Sequence, residues 1–333
     1  MSSADACLEV SSTTETLDVT VSASRRLTED TIEFTLVPPE DTPLPHWEPG
    51  AHIDVKVLDS QVRQYSLCGT TEPDSWTIAV HQETGGRGGS VFLHDNVHVG
   101  DHLSVSLPSN TFHYTASDSP VIFIAGGIGV TAVLPMIRAA VVAGRPLRVL
   151  YTGRGRALMP YLATIEDLVP TVTVHDSTEN GRVVVADWLE NQVNSLADTF
   201  RSSEVETYCC GPAGLMDDVR TAASKVGIGT VHTEAFHGAQ VSTVDNRPFT
   251  VTLRSGRSIN VGPDKSILEA LRREGLRALS SCQEGVCGTC ETAVLAGRVD
   301  HRDQILDEEE RESNETMMIC VSRALGDSLT LDL

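Results

Sequence analysis

Four cysteines in the last 52 residues constrain this chain more than any other feature. Cys282, Cys287 and Cys290 stand at C-x4-C-x2-C spacing in SSCQEGVCGTC, and Cys320 follows after 29 intervening residues. That is the plant-type [2Fe–2S] ligand pattern, four thiolates holding two irons. An iron–sulfide core needs backbone N–H groups aimed at its sulfurs, so the loop must wrap closely. Gly285 and Gly288 supply the conformational freedom for that. A zinc site and structural thiols are the competing readings. Zinc sites usually offer paired C-x2-C units, however, and a single one is present here. A plant-type cluster carries one electron at a potential of about −400 mV. A chain built around such a group relays electrons, so its remainder should contain their source. The other cysteines, Cys7, Cys68, Cys209 and Cys210, lack any such arrangement and read as ordinary thiols, with Cys210 an exception taken up below.

At 333 residues the chain exceeds one ordinary core, and two or three domains of about 100–150 residues are expected. Residues 1–15 are polar and acidic and are expected to be disordered. They lack the basic start and apolar centre of a signal peptide, which makes the cytoplasm the expected location. No run of about 18 apolar residues supports a membrane span. Lysines and arginines number 25 against 46 acids, a net charge of −21. Such a surface repels nucleic acid; it reads as a device for solubility, or for steering toward a basic protein partner.

Three rhythms follow one another. Over 16–114, short alternating runs (LDVTV, TIEFTL, HIDVKV, WTIAV, LSVSL) separated by Gly, Pro and Asp predict an antiparallel barrel or sandwich. Over 115–236, apolar strands such as VIFIA alternate with helices such as VTAVLPMIRAAVVAG and MPYLATIEDL, which predicts a parallel, doubly wound α/β sheet. The polar stretch 237–247 reads as a linker. Alternation returns over 248–333 in FTVTLRSG and RSINV, followed by the compact helix SILEALRREG. Ser266 caps that helix, Glu269 completes a capping box, and Gly275 stands at its stop. The acidic run Asp307–Glu312 reads as a solvated helix face.

Four further motifs look like nucleotide sites. The strand VIFIA runs into Gly126-Gly127-Ile128-Gly129-Val130-Thr131 and a helix, a turn that lets a pyrophosphate approach backbone and helix N-terminus. The acid that ordinary dinucleotide folds place about 20 residues on is missing; Tyr151-Thr152-Gly153-Arg154 ends the second strand instead. Cys210-Gly211-Pro212 follows the strand VETYC and opens a helix, where proline is well placed. Arg63-Gln64-Tyr65-Ser66 puts an arginine, an aromatic and a hydroxyl on one strand. Gly85-Gly86-Arg87-Gly88-Gly89-Ser90 is a glycine-rich turn suited to an anion. Each alone is equally readable as a surface strand, a loop or a plain strand-to-helix turn.

Taken in order, RQYSLCG, GGRGGS, AGGIGVT, CGP, TEAF and CQEGVCGTC resemble the phthalate dioxygenase reductase family, within the ferredoxin–NADP reductase superfamily. The reductase components of vanillate demethylases and carnitine monooxygenases are similar. The resemblance covers Thr16 to the C-terminus. It implies a multidomain chain with an antiparallel β-barrel domain for FMN, an α/β doubly wound domain for NADH, and an α+β (β-grasp) plant-type ferredoxin domain. By the same resemblance Arg63 contacts the flavin phosphate, Tyr65 lies against the isoalloxazine and Ser66 sits near its N5. Arg87, Gly88, Gly89 and Ser90 form the FMN-phosphate turn. Gly126, Gly127, Gly129 and Thr131 match the coenzyme turn, while Cys210, Gly211 and Pro212 match the turn beside the nicotinamide. Glu234 and Phe236 match an E-x-F segment whose ring covers the flavin until nicotinamide displaces it.

The implied route runs from NADH through FMN to the [2Fe–2S] cluster and on to a separate acceptor, expected to be a Rieske-type terminal oxygenase. No Rieske C-x-H pair occurs in this chain, so that oxygenase would be another polypeptide. A cytochrome P450 is the alternative acceptor. A redox sensor would use the cluster without turnover, and a flavin reductase would release reduced FMN. Neither uses all the motifs. Arg154 and Arg156 follow the second strand of the nucleotide segment, where they would meet a 2′-phosphate, the adenosine diphosphate of NADH or simply solvent.

Overall fold

A computed structural model describes residues 16–39, 43–58, 61–71, 74–238 and 246–333. The expected disordered N-terminus with Cys7, and positions 239–245 of the expected linker, lie outside the described residues.

The first sheet contains β1 (Thr16–Thr28), β2 (Thr31–Val37), β3 (Ala51–Lys56), β4 (Val62–Ser66), β5 (Trp76–His81), β6 (His102–Ser106) and the short β7 (Ser109–Asn110). Its order is β4-β3-β6-β1-β2-β5, with β7 on β3, and the pairings are antiparallel. A bridge between Leu67 and Ile78 joins the two ends and closes the barrel. The alternation read in TIEFTL and WTIAV sends Phe34, Leu36, Trp76 and Ile78 inward, as a period of two requires. One helix, α1 (Gly89–Asn96), follows β5. The sequence read GGRGGS as a turn alone, but its last two residues open this helix. Glycine is a poor helix former, which hid the start.

The second sheet is parallel, in the order β10-β9-β8-β11-β12. Its strands are β8 (Val121–Gly126), β9 (Leu147–Gly153), β10 (Thr173–Asp176), β11 (Glu206–Cys210) and β12 (Thr230–Glu234). Between them run α2 (Val130–Val142), α3 (Leu162–Leu168), α4 (Ser177–Asn180), α5 (Val185–Leu196) and α6 (Ala213–Val226). Every residue of β8 is buried, because helices cover both faces of such a sheet. α3 is shorter than the sequence pattern suggested. Tyr161 before it takes φ +58° and breaks the helical path. The core beneath this sheet also includes Ala79 of β5 and the nearby Cys68 and Phe112, which flank strands of the first sheet, so barrel and parallel sheet share apolar packing.

The third unit comprises β13 (Phe249–Leu253), β14 (Ser258–Val261), α7 (Ile267–Arg273), β15 (Glu291–Ala296), β16 (Val299–Asp300), α8 (Glu308–Ser313), β17 (Thr316–Met318), β18 (Arg323–Ala324) and β19 (Ser328–Leu331). Its main sheet is ordered β14-β13-β19-β15-β17, mixed in direction. Ser266 and Glu269 form the expected reciprocal capping box at the start of α7. Gly275 has φ +73° just past its end, the left-handed stop glycine favours. α8, capped by Asp307, contains no buried residue. Among the described residues no helix is long and apolar enough to cross a membrane.

Candidate functional site

The cluster loop joins α7 to β15. Gly285 and Gly288 take φ +73° and +75°, as the spacing implied, and Gln283 does so too at +59°. The wrapped backbone places the Glu284 N–H 3.3 Å from Cys282 Sγ. The Thr289 hydroxyl stands 3.3 Å from Cys287 Sγ. The four thiols fall into two mutually perturbing pairs, Cys282 with Cys287 and Cys290 with Cys320. Within each pair the neighbouring thiol stabilises one thiolate, which brings Cys287 down to about 6 and also lowers Cys290. Among the described residues no three His, Cys, Asp or Glu side chains gather as ligands for a single ion. Two pairs of thiols, with backbone N–H groups turned toward sulfur, fit a dinuclear iron–sulfur core better than a tetrahedral zinc ion.

Beside this loop lies a cleft of about 180 Å³ whose walls include Arg63, Tyr65 and Ser66 of β4, Arg87, Gly89 and Ser90, then Phe236, and finally Cys282 and Val286. Arg63 Nη2 donates to Gln61 Oε1 at 2.8 Å. Burial lowers its pKa first, and the Arg87 charge lowers it further. Gly89 packs on Arg63 so closely that a Cβ would lie 2.8 Å from Nε. Gly88, at φ +86°, is the N-cap of α1 and offers no side-chain acceptor to its first turn. Two neighbouring guanidiniums at an uncapped helix N-terminus fit a phosphate. Burial also raises the Tyr65 phenol, which keeps it neutral. Ser66 is buried and also borders a wedge of about 30 Å³, with His52, Gln64, Thr111, Glu234, Phe236 and Cys287.

A larger cleft, about 620 Å³, which the sequence assigns to the nucleotide and which is named the nucleotide cleft for that reason, opens at the C-terminal ends of β8, β9 and β11, the switch point where strand order reverses. Gly126, Gly127 and Gly129 line it together with Arg154, Gly211 and Pro212. A Cβ on Gly129 would stand 2.3 Å from the Cys210 carbonyl oxygen. Thr131 is buried, donates to Ile128 O at 2.9 Å, and borders the cleft beside β4 rather than this one. Cys210 is fully buried behind Gly129, and burial pushes its thiol well up. It lines none of the three cavities. Phe236 borders all three. Glu234 buries an Oε2 without a hydrogen-bond partner, and desolvation raises its carboxyl to about 8.

Several lining residues escaped the sequence analysis. His81 and Glu83, at and beyond the end of β5, face both large clefts. Arg182 lines the nucleotide cleft, and Glu284 lines the cleft beside β4. His81 and Glu83 offered only a polar residue at a strand's end, Arg182 stands in a loop without a motif, and Glu284 sits inside the C-x4-C spacing, where the cysteines drew the reading. A separate depression of about 600 Å³ between α5 and α6 gathers none of these groups.

Residues 251–325 match the 2Fe-2S iron-sulfur cluster binding domain family. The chain is 37% identical, over 94% of its length and 95% of the relative's, to the phthalate 4,5-dioxygenase oxygenase reductase subunit of Pseudomonas putida. It superposes with a TM-score of 0.75 and 35% identity on the solved phthalate dioxygenase reductase, described as a modular structure for electron transfer from pyridine nucleotides to [2Fe–2S]. That match covers 96% of this chain and 98% of the other. A self-sufficient type IV cytochrome P450 monooxygenase gives a TM-score of 0.77 at 35% identity, and there 96% of this chain spans 41% of the longer one. The chain therefore belongs to the phthalate dioxygenase reductase family, oxidoreductases of oxygenase systems that use NADH, FMN and a [2Fe–2S] cluster.

Proposed function

We propose that this chain carries electrons from NADH through FMN to the [2Fe–2S] cluster and delivers them, in the cytoplasm, to a Rieske-type terminal oxygenase. The observation that supports this most is the shared wall: the cluster loop and the R-Q-Y-S strand border one cleft, and Phe236 stands between it and the nucleotide cleft. When bound, the flavin takes the two electrons of a hydride together and gives them up singly, as a one-electron cluster requires.

In this reading Arg63 and Arg87 hold the flavin phosphate, with Gly88, Gly89 and Ser90 supplying the backbone and hydroxyl of the anion turn. Tyr65 supports the ring system, and Ser66 offers its hydroxyl to the reacting edge. Gly126, Gly127 and Gly129 keep the coenzyme cleft free of side chains, with Arg154 at its outer end, while Gly211 and Pro212 form the opposite lip. Cys210 acts from behind that lip by filling space, and Thr131 fixes the turn from the flavin side. Phe236 excludes water from the flavin until nicotinamide takes its place, and Glu234, with one oxygen buried and unpartnered at that strand's end, is able to hold a proton. Arg156 is paired with Glu166, which takes it away from a 2′-phosphate and favours NADH over NADPH. The ratio of kcat/KM for the two coenzymes tests that preference.

A cytochrome P450 is the second reading for the acceptor, because the same reductase length recurs within a P450 chain. An anaerobic NADH titration followed by visible absorbance and low-temperature EPR tests the relay. Flavin bleaching accompanied by a rhombic reduced-cluster signal is expected, and bleaching alone would reduce the reading to a simple flavin reductase. Turnover with purified oxygenases of each kind decides the acceptor.

A further inference from the structure

We propose that Glu284 is a positioning residue that latches the cluster loop onto the flavin cleft, and that this latch sets the rate at which electrons pass from flavin to cluster. The proposal rests on the relay described above. Three segments distant in sequence meet at this carboxylate. From the turn before α1, Arg87 Nη2 donates to Glu284 Oε1 at 2.8 Å and to the Cys282 carbonyl at 2.7 Å. From the chain leaving β12, the Gly238 N–H donates to Glu284 Oε2 at 3.2 Å, and His237 Nδ1 stands 3.6 Å from the same oxygen. In the loop itself, the Glu284 N–H points at Cys282 Sγ. Gly238 is seated so tightly that a Cβ would come within 2.0 Å of the Glu284 carbonyl oxygen.

Arg87 therefore serves two neighbours. It belongs to the anion turn of the flavin cleft, and it also grips the loop that carries Cys282. The Arg87 and Glu284 side chains are 39% and 32% exposed, and a partly exposed pair of this kind adds little stability. What the network supplies is geometry. Independently, Ser281 Oγ donates to Asp54 Oδ1 of the barrel at 2.7 Å, so loss of Glu284 leaves the cluster unit attached but loosely registered.

The sign of the expected effect separates position from electrostatics. Glu284 is a negative charge two residues from Cys282. Removing it makes the cluster easier to reduce, which by driving force alone would speed electron transfer. A slowdown therefore reports lost geometry. The test uses the full-length holoprotein and its variants Glu284→Ala and Glu284→Gln. Each is mixed with NADH anaerobically in a stopped-flow instrument, with flavin bleaching and cluster reduction recorded separately. Amide hydrogen exchange of the loop 282–288 is measured in parallel. Glu284→Ala is expected to slow cluster reduction several-fold or more, because the tunnelling rate falls with each ångström added between flavin and cluster. Bleaching should slow less than cluster reduction does, and loop exchange should rise. Glu284→Gln keeps one acceptor oxygen and should fall between. Cluster reduction as fast as wild type, or faster, overturns the latch. So does a variant whose bleaching slows equally or whose flavin is lost, because Glu284 would then be a flavin ligand. A wild-type protein that bleaches without reducing its cluster sinks the relay, and this role with it.

Discussion

Glu234 is the residue at which burial and charge conflict most sharply. Its folded pKa of about 8 lies above the ordinary 4.5, so the folded protein prefers the neutral form. The stability gained from keeping it neutral is complete below about pH 4.5 and is lost as pH rises toward 8. The nearby His52 does not offset this, since burial lowers its pKa and keeps it neutral. In flavin-free protein, Glu234→Gln is expected to raise Tm relative to wild type by a margin that widens from pH 5 to pH 8. A pH-independent margin would show that the carboxyl is not buried neutral. Cys287→Ser should abolish the cluster's visible absorbance and EPR signal while NADH still bleaches the flavin. Loss of both would mean that the cofactor sites are not separable. The four cysteines and the R-Q-Y-S strand were legible because their spacing is local. The second partner of Arg87 was not, because Glu284 lies 197 residues away. Cys210 was read as a site residue from its motif, and nothing in the sequence revealed that Gly129 seals it in.

Among the elements, the start of α2 and the end of β11 show how glycine positions a cleft. The Cβ that Gly129→Ala would add meets the Cys210 carbonyl at 2.3 Å and Gly211 N at 2.9 Å. Those are backbone atoms, which yield only if the helix moves off the strand. The substitution should cost about 1–3 kcal/mol in denaturant unfolding and raise KM for NADH roughly tenfold, the value of about 1.4 kcal/mol of lost binding. An unchanged KM would remove this turn from the coenzyme site. Ser266→Ala should cost about 1 kcal/mol by breaking the capping box of α7, with no change in NADH oxidation. The capping box, the buried strand VIFIA and the alternating barrel strands were all readable, since each rests on a short-range period or pairing. α1 and the shortened α3 were not. One begins on glycines, and the other is preceded by a left-handed tyrosine that no local pattern foretells.

Across the whole molecule, barrel and parallel sheet are joined by side chains that reach between them. Tyr161 OH donates to Glu33 Oε2 at 2.6 Å, and Arg138 Nη1 donates to the carbonyls of Cys68 and Gly69 at 2.8 Å each. Arg138→Ala leaves those carbonyls without their donor and should cost about 1–3 kcal/mol, seen as a lower midpoint for the flavin and nucleotide units unfolding together. The order of the three units along the chain was legible from their rhythms; their mutual seating was not, because it depends on residues that meet only after each unit has folded. The glycine packed against the Glu284 carbonyl has a consequence for anyone grafting parts between such reductases. A chimera joined after Gly238 and before 247 carries Gly238 and Arg87 from one parent and Glu284 from the other. Ferredoxin units should therefore transplant with full coupling only between parents that keep a glycine, an arginine and a carboxylate at these three places, and grafts that break the set should express, bind both cofactors and still deliver electrons slowly.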